Sequence, residues 1–482
     1  MKISDIIHPE EYILSEVSDE LEFNRLITDP SEISEGDLLI IPNSKRLSQS
    51  AFTSNLPVAV ICDEKTILPY NIPRILVKNT RKTFAYAFFR FEDFRLDGIK
   101  IIGVTGTNGK TTTASLIKTA LSGVGYKVGF IGTGKIEIGD KSITPANYSM
   151  TTPDPPLLYR SLRQMKALGC NAVVMEVSSH ALALCKVAPL TFDYAVFTNL
   201  SPEHTDFHRD MEDYFNAKLG LFKNSRCSVF NIDDEYGKRA YNQCGGKKIS
   251  AGIIWRGDVW ASNIESHGFN GLSYTYHTDS FSFKMHLPLP GLYNAYNSLL
   301  AATVCIQMGC KPCEVKEFIS KAPAIEGRYE IINDDISVII DYAHTQEAFR
   351  SILGELFSIK GSRRLTVVFG CGGDRDRTKR PAMAKIAESY ADRIIITQDN
   401  SRSESTKDII SDIIKGFQRG NYEIRENREE AIISAISDAR SGDIVAIIGK
   451  GPERYNIGRD GYSPFDEREI IKRALKWRKE RN

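Results

Sequence analysis

The chain has no long hydrophobic run and no bulk charge of either sign. No apolar run in its 482 residues approaches the roughly 18 residues of a membrane span, and residues 1–5 carry no apolar signal region. A formal net charge of +1 gives no electrostatic case for nucleic acid or an anionic membrane as a partner. We therefore expect a cytoplasmic globular enzyme with no membrane span and no nucleic-acid partner.

The cysteines form no recognisable framework. Nine are scattered along the chain, and the Cys310-x-x-Cys313 pair lacks a second pair at zinc-ribbon spacing. We expect these thiols to be reduced, and their pattern indicates nothing about function.

The length predicts two to four domains, and the alternation of apolar runs with helical segments divides the chain into three regions. Residues 1–97 resemble a small α/β domain, and 98–325 and 326–482 each alternate strand and helix signals. Continuous apolar runs favour strands of a parallel sheet buried on both faces. The predicted strands are 99–104, 172–177, 194–197, 338–340, 365–369, 393–396 and 444–448, and predicted helices include 112–121, 382–390 and 406–417. The predicted fold class is α/β in three domains, with a small N-terminal domain, a central P-loop ATPase-like parallel sheet domain and a C-terminal Rossmann-like doubly wound domain.

A glycine-rich loop follows the first strand of the central region. It reads Gly106-Thr107-Asn108-Gly109-Lys110-Thr111-Thr112, and Gly103 lies six residues before Gly109 instead of the usual five of a P-loop. Glycines let successive N–H groups face an anion, and the following helix adds its positive end. Lys110 would then contact the β- and γ-phosphates, and Thr111 would bind Mg²⁺. The loop predicts a mononucleotide site, and no Asn-Lys-x-Asp word for guanine accompanies it.

Further polar residues follow the next strands. Glu176 ends a buried strand, where a carboxylate beside a phosphate loop suits Mg²⁺. His204 and His208 lie with Glu203 and Asp206 in a short stretch after another strand, which favours a metal or phosphate cluster. By its own pattern, Lys218 is a surface charge on a helix.

Taken together, these words resemble the Mur ligase superfamily, and within it the MurE type, over 100–482. The motifs beyond the phosphate loop are Thr151-Thr152-Pro153-Asp154, Glu176-Val177-Ser178-Ser179-His180, Thr198-Asn199-Leu200-Ser201, Ala217-Lys218, Asn231-Ile232-Asp233-Asp234, Asn294 with Asn297, Gly327-Arg328, Asp341-Tyr342-Ala343-His344 and the run from Gly370 to Arg377.

The resemblance implies roles that the pattern alone does not give. One Mg²⁺ would be held by Thr111 and Glu176, and a second by His204 and a carbamylated Lys218. ATP would meet Asn297, Arg328 and Asp341, and the catalytic set would be Lys110, Glu176, His204 and Lys218. The UDP-linked muramoyl dipeptide would contact Thr151, Thr152, Ser178 and Lys186.

The implied reaction activates the substrate carboxylate as an acyl phosphate, which an incoming amine then attacks. The three domains become a UDP-substrate domain (1–97), an ATP-binding domain (98–325) and an amino-acid domain (326–482), in a chain expected to be a monomer.

The added amino acid is expected to be meso-diaminopimelate. Asp399-Asn400-Ser401-Arg402 stands where such ligases usually have Asp-Asn-Pro-Arg, and the Arg402 guanidinium suits the distal carboxylate that diaminopimelate has and lysine lacks. Arg375, Gly449 and Glu453 fall at the other implied contacts.

Several departures keep alternatives open. Ser401 replaces a proline, Pro452 a histidine and Lys186 an arginine, and 1–97 lacks the family's usual uridine-binding words. Lysine or another diamino acid, a sister ligase acting on another acid (folylpolyglutamate type), and a non-catalytic nucleotide-binding protein are therefore the alternatives.

Overall fold

The computed structural model describes residues 1–52, 55–95, 97–145, 148–203 and 207–481. Helices and strands alternate through most of the chain, which confirms the predicted α/β class. Within these residues, no helix is both long and apolar enough to cross a membrane.

The N-terminal elements form a five-stranded sheet and one helix. Strands β2 to β5 are parallel neighbours, and β1 pairs antiparallel with β5 at the edge. Helix α1 starts where the Asn79 side chain accepts a hydrogen bond from the Lys82 amide, a normal N-cap. The bounds are β1 Tyr12–Ser15, β2 Leu26–Ile27, β3 Leu38–Ile40, β4 Ala59–Cys62, β5 Arg74–Val77 and α1 Thr80–Phe91.

The central elements begin with the strand that precedes the phosphate loop. They are β6 Lys100–Thr105, α2 Lys110–Gly123, β7 Val128–Gly132, β8 Lys135–Ile138, β9 Lys141–Ser142, α3 Pro155–Ala167, β10 Ala172–Glu176, α4 Ser179–Ala183, β11 Phe192–Phe197, α5 Met211–Lys223, β12 Ser225–Asn231, α6 Glu235–Gln243, β13 Lys247–Gly252, β14 Val259–Ser266, β15 Leu272–Thr278, β16 Ser282–Leu287, α7 Leu292–Gln307 and α8 Pro312–Ser320. Strand β10 lies between β6 and β7 and is parallel to both, so the predicted buried strands at 99–104 and 172–177 are confirmed.

The C-terminal elements form a six-stranded sheet covered by helices on both faces, together with a separate two-stranded ribbon of β23 and β24. They are β17 Glu330–Asn333, β18 Ser337–Asp341, α9 Gln346–Lys360, β19 Leu365–Phe369, α10 Lys379–Tyr390, β20 Arg393–Ile396, α11 Thr406–Ile414, β21 Tyr422–Ile424, α12 Arg428–Ser437, β22 Ile444–Ile448, β23 Tyr455–Gly458, β24 Gly461–Pro464 and α13 Glu467–Arg481. The strand order is β17-β18-β22-β19-β20-β21, with β17 antiparallel and the others parallel.

This sheet divides the C-terminal core into two layers. Side chains of α9, α10 and α11 pack on one face, and those of α12 and α13 pack on the other. Such a doubly wound sheet brings the loops after its parallel strands to one edge, where ligands usually bind.

The chain folds into two compact units. One comprises residues 1–105, 126–195 and 217–227, and the other comprises 106–125, 196–216 and 228–482. The domain limits 1–97, 98–325 and 326–482 stay a prediction.

Candidate active site

The phosphate loop depends on two glycines. Gly109 caps α2 with a φ of +83°, and a Cβ at this position would lie 2.3 Å from Oδ1 of Asn297. A Cβ on Gly106 would lie 1.8 Å from Oγ1 of Thr198. Both the backbone conformation at Gly109 and the close approach of neighbours exclude a larger residue.

Lys110 folds back over this loop. Its Nζ donates to the carbonyl oxygens of Gly106 at 3.0 Å and Thr107 at 2.8 Å. Next to it, Oγ1 of Thr111 accepts a hydrogen bond of 3.2 Å from Nη2 of Arg328. Thr112 is buried in the first turn of α2. Lys110 and Thr111, a cation and a hydroxyl, are therefore the first two residues of α2.

Two residues after β11 hold the loop in shape. The Asn108 amide donates to Oδ1 of Asn199 at 2.9 Å, and the Asn108 carbonyl accepts from Oγ1 of Thr198 at 2.6 Å. Thr107 Oγ1 lies 3.1 Å from the Tyr214 hydroxyl. Thr198 and Asn199 belong to a motif of the resemblance that carried no predicted role, and their contacts identify them as supports of the loop.

Two of the predicted ATP contacts, Asn297 on α7 and Asp341 on β18, are held by hydrogen bonds to neighbouring residues. Nδ2 of Asn297 donates to Oδ1 of Asn294 at 2.9 Å. The Asp341 carboxylate accepts from the amides of Tyr329 and Ala343, both at 2.7 Å. Burial raises the pKa of Asp341, and the positive charge of Arg328 opposes this shift. These bonds fix the carboxylate at the end of β18.

A second group of predicted residues lies around the end of β10. Glu176 is fully buried and accepts from the amide of Thr133 at 3.0 Å and from its hydroxyl at 3.2 Å. The Thr133 hydroxyl also lies 3.1 Å from that of Thr151. Thr152 Oγ1 donates to the Glu176 carbonyl at 2.9 Å and accepts from the Ser178 amide at 3.0 Å. Thr133 had no sequence signal, because it belongs to none of the recognised motifs.

Lys186 joins the same group. Its Nζ lies 2.7 Å from Oδ1 of Asp154 and 3.5 Å from the Thr152 carbonyl oxygen. The structure thus brings Thr151, Thr152, Ser178 and Lys186 together near Glu176, although their contact with a UDP-linked substrate stays a prediction.

Lys218 is buried on α5, with 1% of its surface exposed, so it is not the surface charge that its pattern indicated. His204 lies outside the described residues. No cluster of three or more His, Cys, Asp and Glu side chains able to bind a metal occurs in the described part of the chain. The metal set implied by the resemblance uses instead a threonine hydroxyl, a modified lysine and His204, so this finding does not test it.

The predicted amino-acid contacts meet at the ends of β20 and β22. Nδ2 of Asn400 donates to Oε2 of Glu453 at 2.7 Å. A Cβ on Gly449, where φ is +125°, would lie 2.8 Å from Oδ2 of Asp399, which explains the glycine. Arg402 has a φ of +51°, and its Nη1 donates to the Gly373 carbonyl at 2.8 Å.

Arg375 and Ser401 lie on the same two loops as these residues. Arg375 is exposed and donates to the Asp374 carbonyl at 3.2 Å, and the Ser401 carbonyl accepts from the Glu404 amide. The residues of the four-residue word therefore come together with Glu453, Gly449 and the loop after β19.

Buried acidic and basic side chains lie together at the ends of β20 and β22, and they shift one another's pKa. Burial raises the pKa of Glu453, and the nearby Asp399 carboxylate raises it further, whereas Lys450 lowers it. For Asp399, burial is outweighed by the cations Lys450 and Arg428, which hold its pKa below the usual range. Arg428 is itself fully buried, paired with Glu467 at 2.6 Å. The edge thus holds buried acids stabilised by buried bases.

In the N-terminal region, Asp29 and Asp37 accept hydrogen bonds from nearby residues. Asp29 accepts from the amide and hydroxyl of Ser31, and Asp37 accepts from Nε of Arg25 at 3.0 Å.

Family models match the chain as "Mur ligase middle domain" over residues 104–305 and as "Mur ligase, glutamate ligase domain" over residues 327–451. The UDP-N-acetylmuramoyl-L-alanyl-D-glutamate--2,6-diaminopimelate ligase 1 of Clostridium acetobutylicum is 39% identical, with 86% of each chain covered. The corresponding ligase of Clostridium botulinum is 38% identical, with 94% of this chain and 95% of that protein covered. A solved structure of a UDP-N-acetylmuramoyl-L-alanyl-D-glutamate--2,6-diaminopimelate ligase superposes with a TM-score of 0.68 at 27% identity, covering 99% of both chains. The chain therefore belongs to the Mur ligase family and, within it, to the MurE type.

Proposed function

We propose that this chain is an ATP-dependent, ADP-forming ligase that adds meso-diaminopimelate to UDP-N-acetylmuramoyl-L-alanyl-D-glutamate in peptidoglycan synthesis. The curated relatives that carry this name match over most of their length. The observation that carries the proposal is the hydrogen bond between Asn400, in the turn 399–402, and Glu453. The same chain has a phosphate loop over which Lys110 folds back.

The phosphate loop fits ATP on its own geometry. Nζ of Lys110 donates to the backbone carbonyls of Gly106 and Thr107, and a phosphate would offer it a stronger, charged acceptor. The glycine at 109 leaves no side chain between the loop and an anion, and α2 adds its positive end. Asn297, Arg328 and Asp341 are the proposed contacts to the rest of the nucleotide.

The donor set also fits Mg²⁺. Thr111 offers a hydroxyl and Glu176 a buried carboxylate, both oxygen ligands of the kind that this cation prefers. Lys218 is a ligand only as a carbamate, whose anionic oxygens are of the kind that Mg²⁺ prefers. We propose His204 as its partner. When bound, Mg²⁺ offsets negative charge on the phosphates.

The proposed chemistry needs charge neutralisation and positioning more than proton transfer. The substrate carboxylate takes the γ-phosphoryl group of ATP, giving an acyl phosphate and ADP, and the amine of the amino acid then displaces phosphate to form the amide. Lys110 and the amides of the phosphate loop stabilise charge on the transferring group. Thr151, Thr152, Ser178 and Lys186 are proposed to hold the UDP-linked substrate, whose reacting carboxylate they orient.

The amino acid is selected by opposite charges in our proposal. Arg402 and Arg375 pair with the distal carboxylate of diaminopimelate, and Glu453 accepts from the ammonium group beside it. Lysine lacks that carboxylate, so Arg402 would be left without this partner. Ser401 and Pro452, which replace the family's usual residues, make lysine the second candidate.

The remaining partners follow from the substrates. We propose that the reaction takes place in the cytoplasm, where ATP is available. We also propose that the chain acts as a monomer, because its own residues supply both the phosphate loop and the amino-acid loops.

Phosphate release by the purified protein with Mg²⁺, ATP and UDP-N-acetylmuramoyl-L-alanyl-D-glutamate tests the proposal. Diaminopimelate, lysine and ornithine are offered separately, and each product is weighed by mass spectrometry. Turnover with diaminopimelate alone supports the proposal, and turnover with lysine alone contradicts the choice of amino acid. Lys110→Met serves as the control, because it should abolish phosphate release while leaving the fold intact.

A further inference from the structure

A buried lysine lies among the side chains proposed to bind the diamino acid. Lys450 is the second residue after β22 and has 0% of its surface exposed. Lysine is seldom fully buried unless it is paired, because removing an ammonium group from water is costly. Its partners therefore indicate why this position carries a charge.

Two acceptors receive hydrogen bonds from Lys450, and two carboxylates surround it. Nζ donates to Oδ1 of Asn400 and to the Tyr455 carbonyl oxygen, both at 2.9 Å. Nζ also lies 3.6 Å from Oδ1 of Asp399 and 3.8 Å from Oε2 of Glu453. Lys450 thus offsets the charge of both acids and fixes the amide of Asn400, whose Nδ2 donates to Glu453.

The same amide connects this turn to the β23–β24 ribbon. Oδ1 of Asn400 also accepts from the Ile457 amide at 2.9 Å, and the Arg402 amide donates to the Ile457 carbonyl at 3.0 Å. Because Oδ1 accepts from both Lys450 and Ile457, the orientation of the Asn400 amide is determined, and its Nδ2 must point to Glu453. A displaced lysine would release all these groups together.

We propose that Lys450 is a positioning residue for the amino-acid substrate, which holds Asn400, Glu453 and the Arg402 turn in the arrangement that binds a diamino acid. The inference rests on the proposed function. Lys450 acts through its neighbours and touches no reacting atom, so its loss should weaken amino-acid binding and spare the phosphate loop. A buried network of this kind is effective only when every member is satisfied.

Steady-state kinetics of Lys450→Met and Lys450→Gln test this role. Met removes both the charge and the donor, whereas Gln keeps a donor for Asn400. We expect KM for diaminopimelate to rise at least tenfold in Lys450→Met and less in Lys450→Gln. KM for ATP and for the UDP-linked dipeptide should stay within twofold of the parent protein. Lys407→Met, which changes an exposed lysine of α11, is the matched control and should change none of these values.

Each outcome has one meaning. A parent protein that does not use diaminopimelate contradicts the proposed function itself. If the parent uses it and the variants keep the parent KM for it, or if KM rises equally for all three substrates, the positioning role of Lys450 is wrong. Thermal melts with and without ATP establish folding, and failure of both variants to fold would also overturn the proposal, because the lysine would then be structural.

Discussion

Nη2 of Arg328 donates a 3.2 Å hydrogen bond to Oγ1 of Thr111, so a guanidinium from the start of the C-terminal region contacts the hydroxyl at the head of α2. The same guanidinium lies 4.3 Å from the centroid of the Tyr342 ring, which supports its plane. Arg328 is thereby held beside the residues proposed to bind the phosphates.

Replacing Arg328 with methionine should weaken ATP binding. The variant loses a fixed cation next to the phosphate loop, and we expect KM for ATP to rise about tenfold or more, as for the loss of one charged hydrogen bond. Arg328→Lys should recover only part, since lysine keeps the charge without the planar fork. Isothermal titration with a non-hydrolysable ATP analogue measures the effect, and unchanged affinity would contradict the proposed contact.

Substitution of Gly109 by alanine should abolish nucleotide binding. The φ of +83° costs an alanine about 1 kcal/mol, and the added Cβ would also meet Asn297 Oδ1 at 2.3 Å. Gly125→Ala is the matched control, because Gly125 has a φ of +99° and no atom within 4 Å of its Cβ position. Gly109→Ala should lose more stability than Gly125→Ala in thermal melts because of its contact with Asn297, and only Gly109→Ala should lose the stabilisation that ATP provides. If ATP raised the melting temperature of both variants equally, the contact between the added Cβ and Asn297 would not affect nucleotide binding.

The strands and the phosphate loop were predictable because their signals are local. The runs at 365–369, 393–396 and 444–448 are β19, β20 and β22 to the residue, since strands buried on both faces need only continuous apolar side chains. Helix α11 ends at Ile414 and not at Phe417 as predicted. Gly416 approaches the backbone of Pro381 so closely that a Cβ there would lie 1.9 Å from the Pro381 carbonyl oxygen, and the chain turns before it.

The supporting residues of the site could not be predicted in the same way. The contact of Thr133 with Glu176 joins residues 43 apart, and that of Lys450 with Asn400 joins residues 50 apart. The sequence around Thr133 or Lys450 does not indicate these partners, because the contacts arise only when distant strands pair. The burial of Lys218 likewise comes from packing, which the single charge on a helix did not reveal.

Asp234 should make folding stability depend on pH. It caps α6 by accepting from the Gly237 amide, and burial raises its pKa to about 6 from an ordinary value of 3.8. A carboxyl whose pKa is higher in the folded state stabilises the fold while protonated, and this contribution is lost as pH rises through 6. Between pH 5 and 7.5 the loss amounts to about 1 to 1.5 kcal/mol.

Asp234→Asn should remove this dependence. Asparagine is also a good N-cap but cannot ionise. The difference in unfolding free energy, variant minus parent, should therefore increase by about 1 kcal/mol between pH 5 and 7.5. Urea denaturation at both pH values measures the difference. The comparison is between pH values, so the loss of the bond that Asp234 accepts from the Leu200 amide does not affect it. A parallel change of both proteins with pH would contradict the assignment.

Ser401→Pro should stabilise the protein and keep its amino-acid preference. The Ser401 amide donates no hydrogen bond within the described part of the chain, so proline would remove no donor that the turn uses. Proline restricts the unfolded chain, which at a compatible position stabilises the fold by about 0.4 to 1 kcal/mol. Denaturation curves measure this gain.

The turn at Ser401 is already held by its neighbours, which sets the expected effect on kinetics. Lys450 and Ile457 fix Asn400, and Arg402 Nη1 is bonded to Gly373, so a stiffer backbone at 401 has little left to order. KM for diaminopimelate in Ser401→Pro should therefore stay within about twofold of the parent value, a change below roughly 0.5 kcal/mol. In a Lys450→Met background the same substitution should lower KM for diaminopimelate, because proline then supplies part of the order that the lysine gave. If Ser401→Pro instead lowers KM for diaminopimelate strongly in the otherwise unchanged protein, the turn is mobile in the free enzyme and its hydrogen bonds form only with substrate.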